Sequence, residues 1–159
     1  MATALIKIDN RLRQEGVMKM TKGQCLCGAV TVEVPEACVH DVSVCHCNMC
    51  RQWGGGPLLA VECKHDVTLR GEENVTHYCS SEWAERTFCR ICGTHLYYLL
   101  HYLLLETQTY ELSAGIFPDD RKRLVSQIYI ESKPDFYDFA QQTPMLTEQD
   151  ILDQFNSNS

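Results

Sequence analysis

The stretch Cys89-Arg90-Ile91-Cys92-Gly93 and its earlier counterpart Cys25-Leu26-Cys27-Gly28 decide how this chain folds. Each offers two closely spaced cysteines followed at once by a glycine, which lets the backbone turn tightly beside bound sulfur ligands. A closed structural zinc site takes four thiolates at about 2.3 Å, usually as two short-range pairs from separate segments. The two stretches satisfy that count. The sequence therefore predicts a zinc site that joins an early turn to a late one.

A third stretch, Cys45-His46-Cys47-Asn48-Met49-Cys50, holds three cysteines within six residues. Three thiolates fill three corners of a tetrahedron and leave the fourth to water or substrate, which is typical of a catalytic zinc. Because thiolate-rich zinc is soft and a weak Lewis acid, it suits the capture of an exogenous thiol better than the activation of water. The alternative interpretation is a redox-active or metal-free group of cysteines.

The histidine between two of these cysteines, His46, could serve as a fourth ligand or as a proton shuttle. In an extended segment its side chain points opposite to those of Cys45 and Cys47. We therefore expect His46 to support the site from outside the ligand set, or to lie on the surface.

Ten cysteines in 159 residues indicate either disulfides or metal sites. Residues 1–9 lack a basic segment, and Lys7 and Asp9 interrupt their apolar stretch, so we expect no signal peptide and a reducing, cytoplasmic setting. That setting favours metal sites over disulfides for the paired cysteines. We interpret the three cysteines outside the clusters, Cys38, Cys63 and Cys79, as small buried apolar residues.

The acidic balance of the chain restricts its partners. A net charge of −7 and a pI near 5.3 argue against nucleic acid or an anionic membrane as the main partner. The longest apolar run, residues 96–105, is about half a membrane span and contains His101. An anionic substrate would need a local basic pocket, for which the candidates are Arg51, Arg86 and Lys133. Arg90 is explained by a solvated surface charge or a salt bridge at least as well as by a substrate contact.

The chain has 159 residues, of which 45% are hydrophobic, and this is enough for one compact domain with a hydrophobic core. We expect an N-terminal extension at residues 1–20, a zinc-binding domain at 21–140 and a tail with a short helix at 141–159. Thr147 is expected to cap that helix over Glu148–Phe155.

Short apolar runs separated by Gly, Pro and Asp predict the rest of the fold. Val30, Val32 and Val34 alternate with polar residues, which predicts a strand with one valine face on a core. Many such strands indicate a mainly β protein, an antiparallel sandwich or folded-over sheet. Further strands are predicted at 39–44, 58–62, 67–70, 75–78, 86–88, 96–105, 110–116 and 125–131.

Taken in order, these motifs resemble the glutathione-dependent formaldehyde-activating enzyme family, which includes centromere protein V. The resemblance spans roughly residues 23–138. It rests on Gly23-Gln24-Cys25-Leu26-Cys27-Gly28-Ala29-Val30, Cys45-His46-Cys47-Asn48-Met49-Cys50-Arg51, Tyr78-Cys79-Ser80-Ser81, the stretch from Arg86 to Leu96, and the stretch from Tyr129 to Asp138.

The resemblance implies a β-rich zinc fold, with Cys25, Cys27, Cys89 and Cys92 on a structural zinc and Cys45, Cys47 and Cys50 on a catalytic zinc. It further implies carbon–sulfur lyase chemistry, in which the glutathione thiol adds to formaldehyde to give S-hydroxymethylglutathione. The expected partners are a small-molecule thiol such as glutathione and a small electrophile.

Other classes of function stay open at this stage. The chain could be a non-catalytic, zinc-stabilised binding module in which the third cluster is vacant or closed by a protein ligand. It could also be a hydrolase that uses water on the same zinc. A chromatin role, as in the centromere relative, ranks last because the chain is acidic and has no basic tail.

Overall fold

The computed structural model describes residues 18–64, 66–101, 109–117 and 121–157. Residues 1–17 of the expected extension, the end of the apolar run 96–105 and residues 118–120 lie outside these ranges. Within them the strands are β1 (Met20–Gln24), β2 (Thr31–Pro35), β3 (Asp41–Cys45), β4 (Leu58–Cys63), β5 (Thr68–Arg70), β6 (Val75–Ser81), β7 (Ala84–Cys89), β8 (His95–Leu100), β9 (Thr109–Ser113), β10 (Arg123–Ile128) and β11 (Met145–Leu146). The helices are α1 (Asn48–Gly54) and α2 (Glu148–Ser157).

Two sheets form the body of the protein. A small sheet has the order β1-β2-β5, and a large one the order β11-β10-β3-β4-β9-β8-β7-β6. The mainly β prediction is confirmed. The antiparallel expectation holds for most neighbours but not for β10, which runs parallel to both β3 and β11. β3 and β9 are both antiparallel to β4, so they are parallel to each other. Because β10 is parallel to β3, it also runs in the same direction as β9, and the connection from β9 to β10 is a crossover.

The core lies between the small sheet and one face of the large sheet. As predicted, the alternating valines of the β2 segment point to it, and Val30, Val32 and Val34 have no exposed surface. They pack in one apolar cluster with Val61 and Leu112 of the large sheet. Burying a side chain of this size contributes roughly 1.5–3 kcal/mol. The small sheet therefore covers one face of the large sheet.

The C-terminal helix begins where the sequence predicts. The Thr147 hydroxyl accepts the backbone N–H of Asp150 at 3.2 Å, and the Asp150 carboxylate accepts the Thr147 N–H at 2.8 Å. This reciprocal pair satisfies donors that the first turn would leave unpaired.

No helix in the described part of the chain is long and apolar enough to cross a bilayer.

The cysteines outside the clusters match their interpretation as small buried apolar residues only in part: Cys63 is buried in the apolar cluster and Cys38 packs against it, but neither is a free thiol and Cys79 is not buried. Cys38 and Cys63 form a disulfide, with a Cα–Cα distance of 5.6 Å, which ties the 3-10 turn Glu36–Val39 to the end of β4. Cys79 is exposed. It lies on β6, the last strand in the order of the large sheet.

Candidate metal centres and adjoining pocket

Four cysteines from two distant turns meet at one end of the fold. The sulfur atoms of Cys25, Cys27, Cys89 and Cys92 lie within 4.8 Å of one another. The Cys25 to Cys27 and Cys27 to Cys89 sulfur distances are 3.5 and 3.8 Å. A tetrahedron with metal–sulfur bonds of about 2.3 Å has edges of about 3.8 Å, so the donor set fits a zinc ion.

Two matching turns build this four-cysteine cluster. Gly28 and Gly93 both have φ of 77°, the left-handed conformation that favours glycine. Their N–H groups donate to the carbonyls of Cys25 and Cys89 at 2.9 and 2.8 Å. Each turn thereby brings two sulfurs to the same side, as the sequence predicts for the glycines.

Nearby hydrogen-bond donors stabilise the thiolate form of two sulfurs in the four-cysteine cluster. The Val30 N–H donates to the Cys25 sulfur at 3.2 Å. The Thr94 hydroxyl donates to the Cys92 sulfur at 3.2 Å, and together with backbone donors it lowers the pKa of Cys92 to about 5. Against a local backbone hydrogen bond, burial and contact with the other three sulfurs raise the pKa of Cys27 to about 12. Thiolates are the form that binds metal, so these donors favour that form at part of the cluster.

The second cluster lies where β3 ends and α1 begins. Cys45 is the last residue of β3, Cys47 caps the helix, and Cys50 lies in the first helical turn. Their three sulfurs lie within 4.8 Å of one another, and no fourth His, Cys, Asp or Glu of the described residues joins them. The donor set fits a zinc ion with one open position.

The pKa values of the cysteines in this three-cysteine cluster are shifted in opposite directions. Contact with Cys45 and Cys50, and the N–H of Cys50, lower the pKa of Cys47 to about 2. The same sulfur contacts, with burial, raise the pKa of Cys45. Three close thiols cannot all ionise without a counter-charge, so full ionisation of the cluster requires a cation.

One such cation comes from the protein itself. Arg86 of β7 is 3% exposed, and its Nη2 donates to the Cys50 sulfur at 3.5 Å. Its guanidinium lies over the Tyr98 ring, 4.7 Å from the centroid. The Arg86 Nε is buried with no hydrogen-bond partner in the described part of the structure. A buried donor without a partner is costly, so a ligand atom that accepts from it would be bound favourably.

Arg86 also lines a small pocket beside the three-cysteine cluster. It is a partly open hollow of about 230 Å³, a volume that includes the solvent at its mouth. Strands β4, β7, β8 and β9 and helix α1 supply its walls, which are Trp53, Leu58, Arg86, Thr87, His95, Tyr97, Tyr98, Glu111 and Ser113. Trp53 covers one side, because its ring stacks on Tyr78 and His95 at centroid distances of 5.6 and 4.9 Å.

The other two basic candidates already have partners. Arg51 donates from Nε to the His46 carbonyl at 3.0 Å and from Nη2 to the Asn48 side chain at 2.5 Å. Lys133 pairs with Asp138 at 2.8 Å and lies 5.2 Å from the centre of the Tyr137 ring. Both residues therefore help to fix the segments that surround the three-cysteine cluster.

His46 points away from the cluster, as the alternation of an extended strand predicts, but it is fully buried rather than on the surface. Its Nε2 donates to the Gln127 side-chain oxygen at 2.9 Å. Nδ1 then accepts the Tyr137 hydroxyl at 2.8 Å. Burial lowers the pKa of His46, which keeps this neutral arrangement. The sequence alone did not reveal Gln127 or Tyr137, because both lie more than 80 residues away in the chain.

We expect Tyr137→Phe to lower the free energy of unfolding by about 1–3 kcal/mol, because it leaves the buried His46 Nδ1 without a donor. Urea denaturation measures the change. Tyr78→Phe is the matched control, since Tyr78 is 53% exposed and its ring contact with Trp53 survives. Equal stability of the two variants would contradict a structural role for the His46 to Tyr137 bond.

This β fold with a four-thiol and a three-thiol cluster defines a cysteine-rich protein whose two clusters could each hold a metal ion. A family profile described as glutathione-dependent formaldehyde-activating enzyme matches residues 20–132. The chain belongs to that family.

Individual relatives agree with this assignment. An uncharacterized lyase of Schizosaccharomyces pombe is 35% identical over 136 residues, which cover 82% of this chain and 93% of the relative. A Halomonas elongata protein, provisionally named as a glutathione-dependent formaldehyde-activating enzyme, is 28% identical over 86 residues, covering 49% of this chain and 55% of its own length. A Rhodobacter sphaeroides protein of known crystal structure superposes with a TM-score of 0.51 at 30% identity, covering 63% of this chain and 92% of that one.

Proposed function

We propose that this chain is a zinc-dependent carbon–sulfur lyase that adds a thiol, glutathione or a similar molecule, to a small aldehyde, or catalyses the reverse cleavage. In this proposal Cys45, Cys47 and Cys50 hold the catalytic zinc. The cysteines at 25, 27, 89 and 92 hold a structural zinc. Membership of the family and the lyase name of the yeast relative support this class of reaction.

The observation that carries the proposal is the position of the three-cysteine cluster beside a pocket. Arg86 links the two, because it lines the pocket and contacts the Cys50 sulfur. When bound, zinc on three thiolates supplies a soft centre that lowers the pKa of a substrate thiol and holds it as the thiolate. The chain's own residues must then position an electrophile next to that sulfur.

Pocket size favours a small electrophile. The volume of about 230 Å³ includes the solvent at its mouth, so the enclosed part is smaller still. Such a space suits a small electrophile rather than a whole tripeptide. Trp53 and Tyr98 narrow the space with aromatic surface, which limits access of water to the reacting atoms. The rest of a glutathione-sized thiol would lie outside, against the protein surface.

Charge complementarity favours Arg86 as the contact inside the pocket. Its unpaired Nε can donate to an oxygen of the substrate while Nη2 stays on the Cys50 sulfur. We propose Arg51 and Lys133 as outer contacts for the carboxylates of the thiol. Besides burial, the positive charges of Lys133 and Arg51 lower the pKa of His46. Both side chains therefore lie near His46, next to the three-cysteine cluster.

Zinc stoichiometry measured with and without glutathione, together with thiol-dependent loss of formaldehyde, tests the proposal. We expect two zinc ions per chain and consumption of formaldehyde only when a thiol is present. One zinc per chain and no turnover would indicate the non-catalytic binding module. Hydrolysis that proceeds without any thiol would indicate the zinc–water hydrolase.

A further inference from the structure

A carboxyl group in the pocket has no role in the chemistry described so far. Glu111 of β9 lines the pocket together with Arg86 and Tyr98. The register of the large sheet explains this position. Glu111 pairs with Tyr98 on β8, and Tyr98 pairs with Arg86 on β7, so the three side chains leave the same face of the sheet in one row.

The surroundings of Glu111 favour a neutral carboxyl. No hydrogen bond or ion pair joins its carboxylate to another residue in the ranges that the structure describes. The cross-strand neighbour on its other side is Glu62 of β4, and Glu62 forms its own ion pair with Lys64 at 3.2 Å. Glu111 is partly buried in the pocket wall. Loss of hydration there, followed by the negative charge of Glu62, raises the pKa of Glu111 to about 7, against a smaller opposing effect of Lys64. The other polar groups around it, Arg86, His95 and Tyr98, approach from β7 and β8.

The proposed reaction needs a proton on the substrate oxygen. As the sulfur–carbon bond forms, the electron pair of the C=O π bond moves to oxygen, which must then be protonated to give the hydroxyl of the adduct. Arg86 can stabilise the developing charge but cannot give up a proton, because a guanidinium stays protonated in proteins. His95 stacks on Trp53, and burial and the charge of Arg86 lower its pKa, so it is a poor acid at neutral pH.

We infer that Glu111 is a catalytic residue of this pocket: its carboxyl protonates the carbonyl oxygen during adduct formation and takes that proton back during cleavage. This inference rests on the proposed thiol–aldehyde reaction. The proton that the thiol gives up restores the carboxyl, so no proton is gained or lost overall. In the reverse direction the ionised carboxylate removes the hydroxyl proton, C=O re-forms, and the sulfur leaves with its electron pair. A positioned acid of this kind typically contributes about 10²–10⁴-fold to the rate.

The test compares full-length Glu111→Gln and wild-type protein, with glutathione and formaldehyde as the probes. Glutamine has nearly the same shape but cannot donate an acidic proton. We expect kcat to fall on the order of 100-fold with zinc content unchanged. Wild-type kcat for adduct formation should decline as the pH rises through about 7, since the active form is the protonated one, and this decline should vanish in the variant. An infrared band of a protonated carboxyl at neutral pH should also be lost in the variant.

Glu62→Gln is the matched control, because Glu62 neighbours Glu111 but does not line the pocket. It should keep the wild-type plateau of kcat and move the decline to lower pH, since removing the neighbouring negative charge lowers the pKa of Glu111. An active wild type with unchanged Glu111→Gln kinetics, or without the infrared band, would overturn the role of Glu111 alone. A wild type with no thiol-dependent aldehyde chemistry would overturn both this role and the proposed function.

Discussion

Cys47→Ser is expected to lower thiol-dependent turnover by more than about 100-fold. Loss of a group that only supports a metal ligand costs up to about 100-fold, and in the proposed function Cys47 is itself a ligand. Cys47 contributes one of only three sulfurs in its cluster, and its sulfur also accepts the N–H of Cys50. A serine hydroxyl is a hard, weakly acidic ligand that replaces a thiolate poorly on a soft centre. Zinc content should fall from two ions per chain to one, as measured by metal analysis on the same sample used for the assay.

The fold should survive this substitution. Cys47 lies between β3 and α1 and is not part of the apolar cluster between the sheets. Cys79→Ser is the control, because it makes the same chemical change at an exposed position outside both clusters. We expect wild-type turnover and two zinc ions in that variant. Full turnover of Cys47→Ser, with its near-ultraviolet spectrum unchanged, would remove the three-cysteine cluster from the reaction.

The sequence predicted most strands because burial on one face leaves a period-two pattern. The valines of β2 are the clearest case, since each lies against the core. Boundaries shifted where the backbone leaves the extended region. The strand predicted at 125–131 ends at Ile128, because Tyr129 adopts a left-handed conformation with φ of 55° and a 3-10 turn follows. The strand predicted at 39–44 begins two residues later, after the 3-10 turn at Glu36–Val39.

Helix α1 escaped prediction for a physical reason. It is seven residues long, too short to show a helical period, and its first turn holds two cysteines of the cluster, Cys47 at the cap and Cys50 within it. Its stability derives from tertiary contacts, above all the packing of Trp53 on His95 and Phe88. The sequence therefore indicated which cysteines lie close together, but not that a helix beginning among them supplies a wall of the pocket.

The pocket could not be predicted, because its walls come together only through strand register. Arg86 and Glu111 are neighbours of the same tyrosine on adjacent strands, yet 25 residues separate them in the chain. Arg86 was a candidate substrate contact from its charge and its place in a motif. Glu111 carried no such signal, since a carboxylate in an alternating strand is typical of a solvent-exposed face.

Cys89→Ser is expected to lower the free energy of unfolding by about 3–5 kcal/mol, a large part of the roughly 5–15 kcal/mol that holds a domain folded. Cys89 is the last residue of β7, has no exposed surface, and belongs to the apolar cluster as well as to the four-cysteine cluster. In the variant a buried hydroxyl replaces a metal-binding sulfur. Because binding energy at a structural zinc site is also folding energy, weakening the site weakens the whole domain.

The contrast with Cys47 is the decisive comparison, since both substitutions remove one sulfur from a cluster. Cys89→Ser removes a link between turns 62 residues apart, at Cys27 and Cys89, whereas Cys47→Ser affects only a local segment. Folding must still close this long loop, and in the variant the binding energy of the metal no longer offsets the entropy that closure costs. Urea denaturation with zinc release followed in parallel measures both effects. Ile91→Ser, at a 61% exposed position in the same turn, should leave both unchanged. A Cys89→Ser variant that is as stable as Ile91→Ser, with zinc still bound there, would show that the four-cysteine cluster does not hold the fold together.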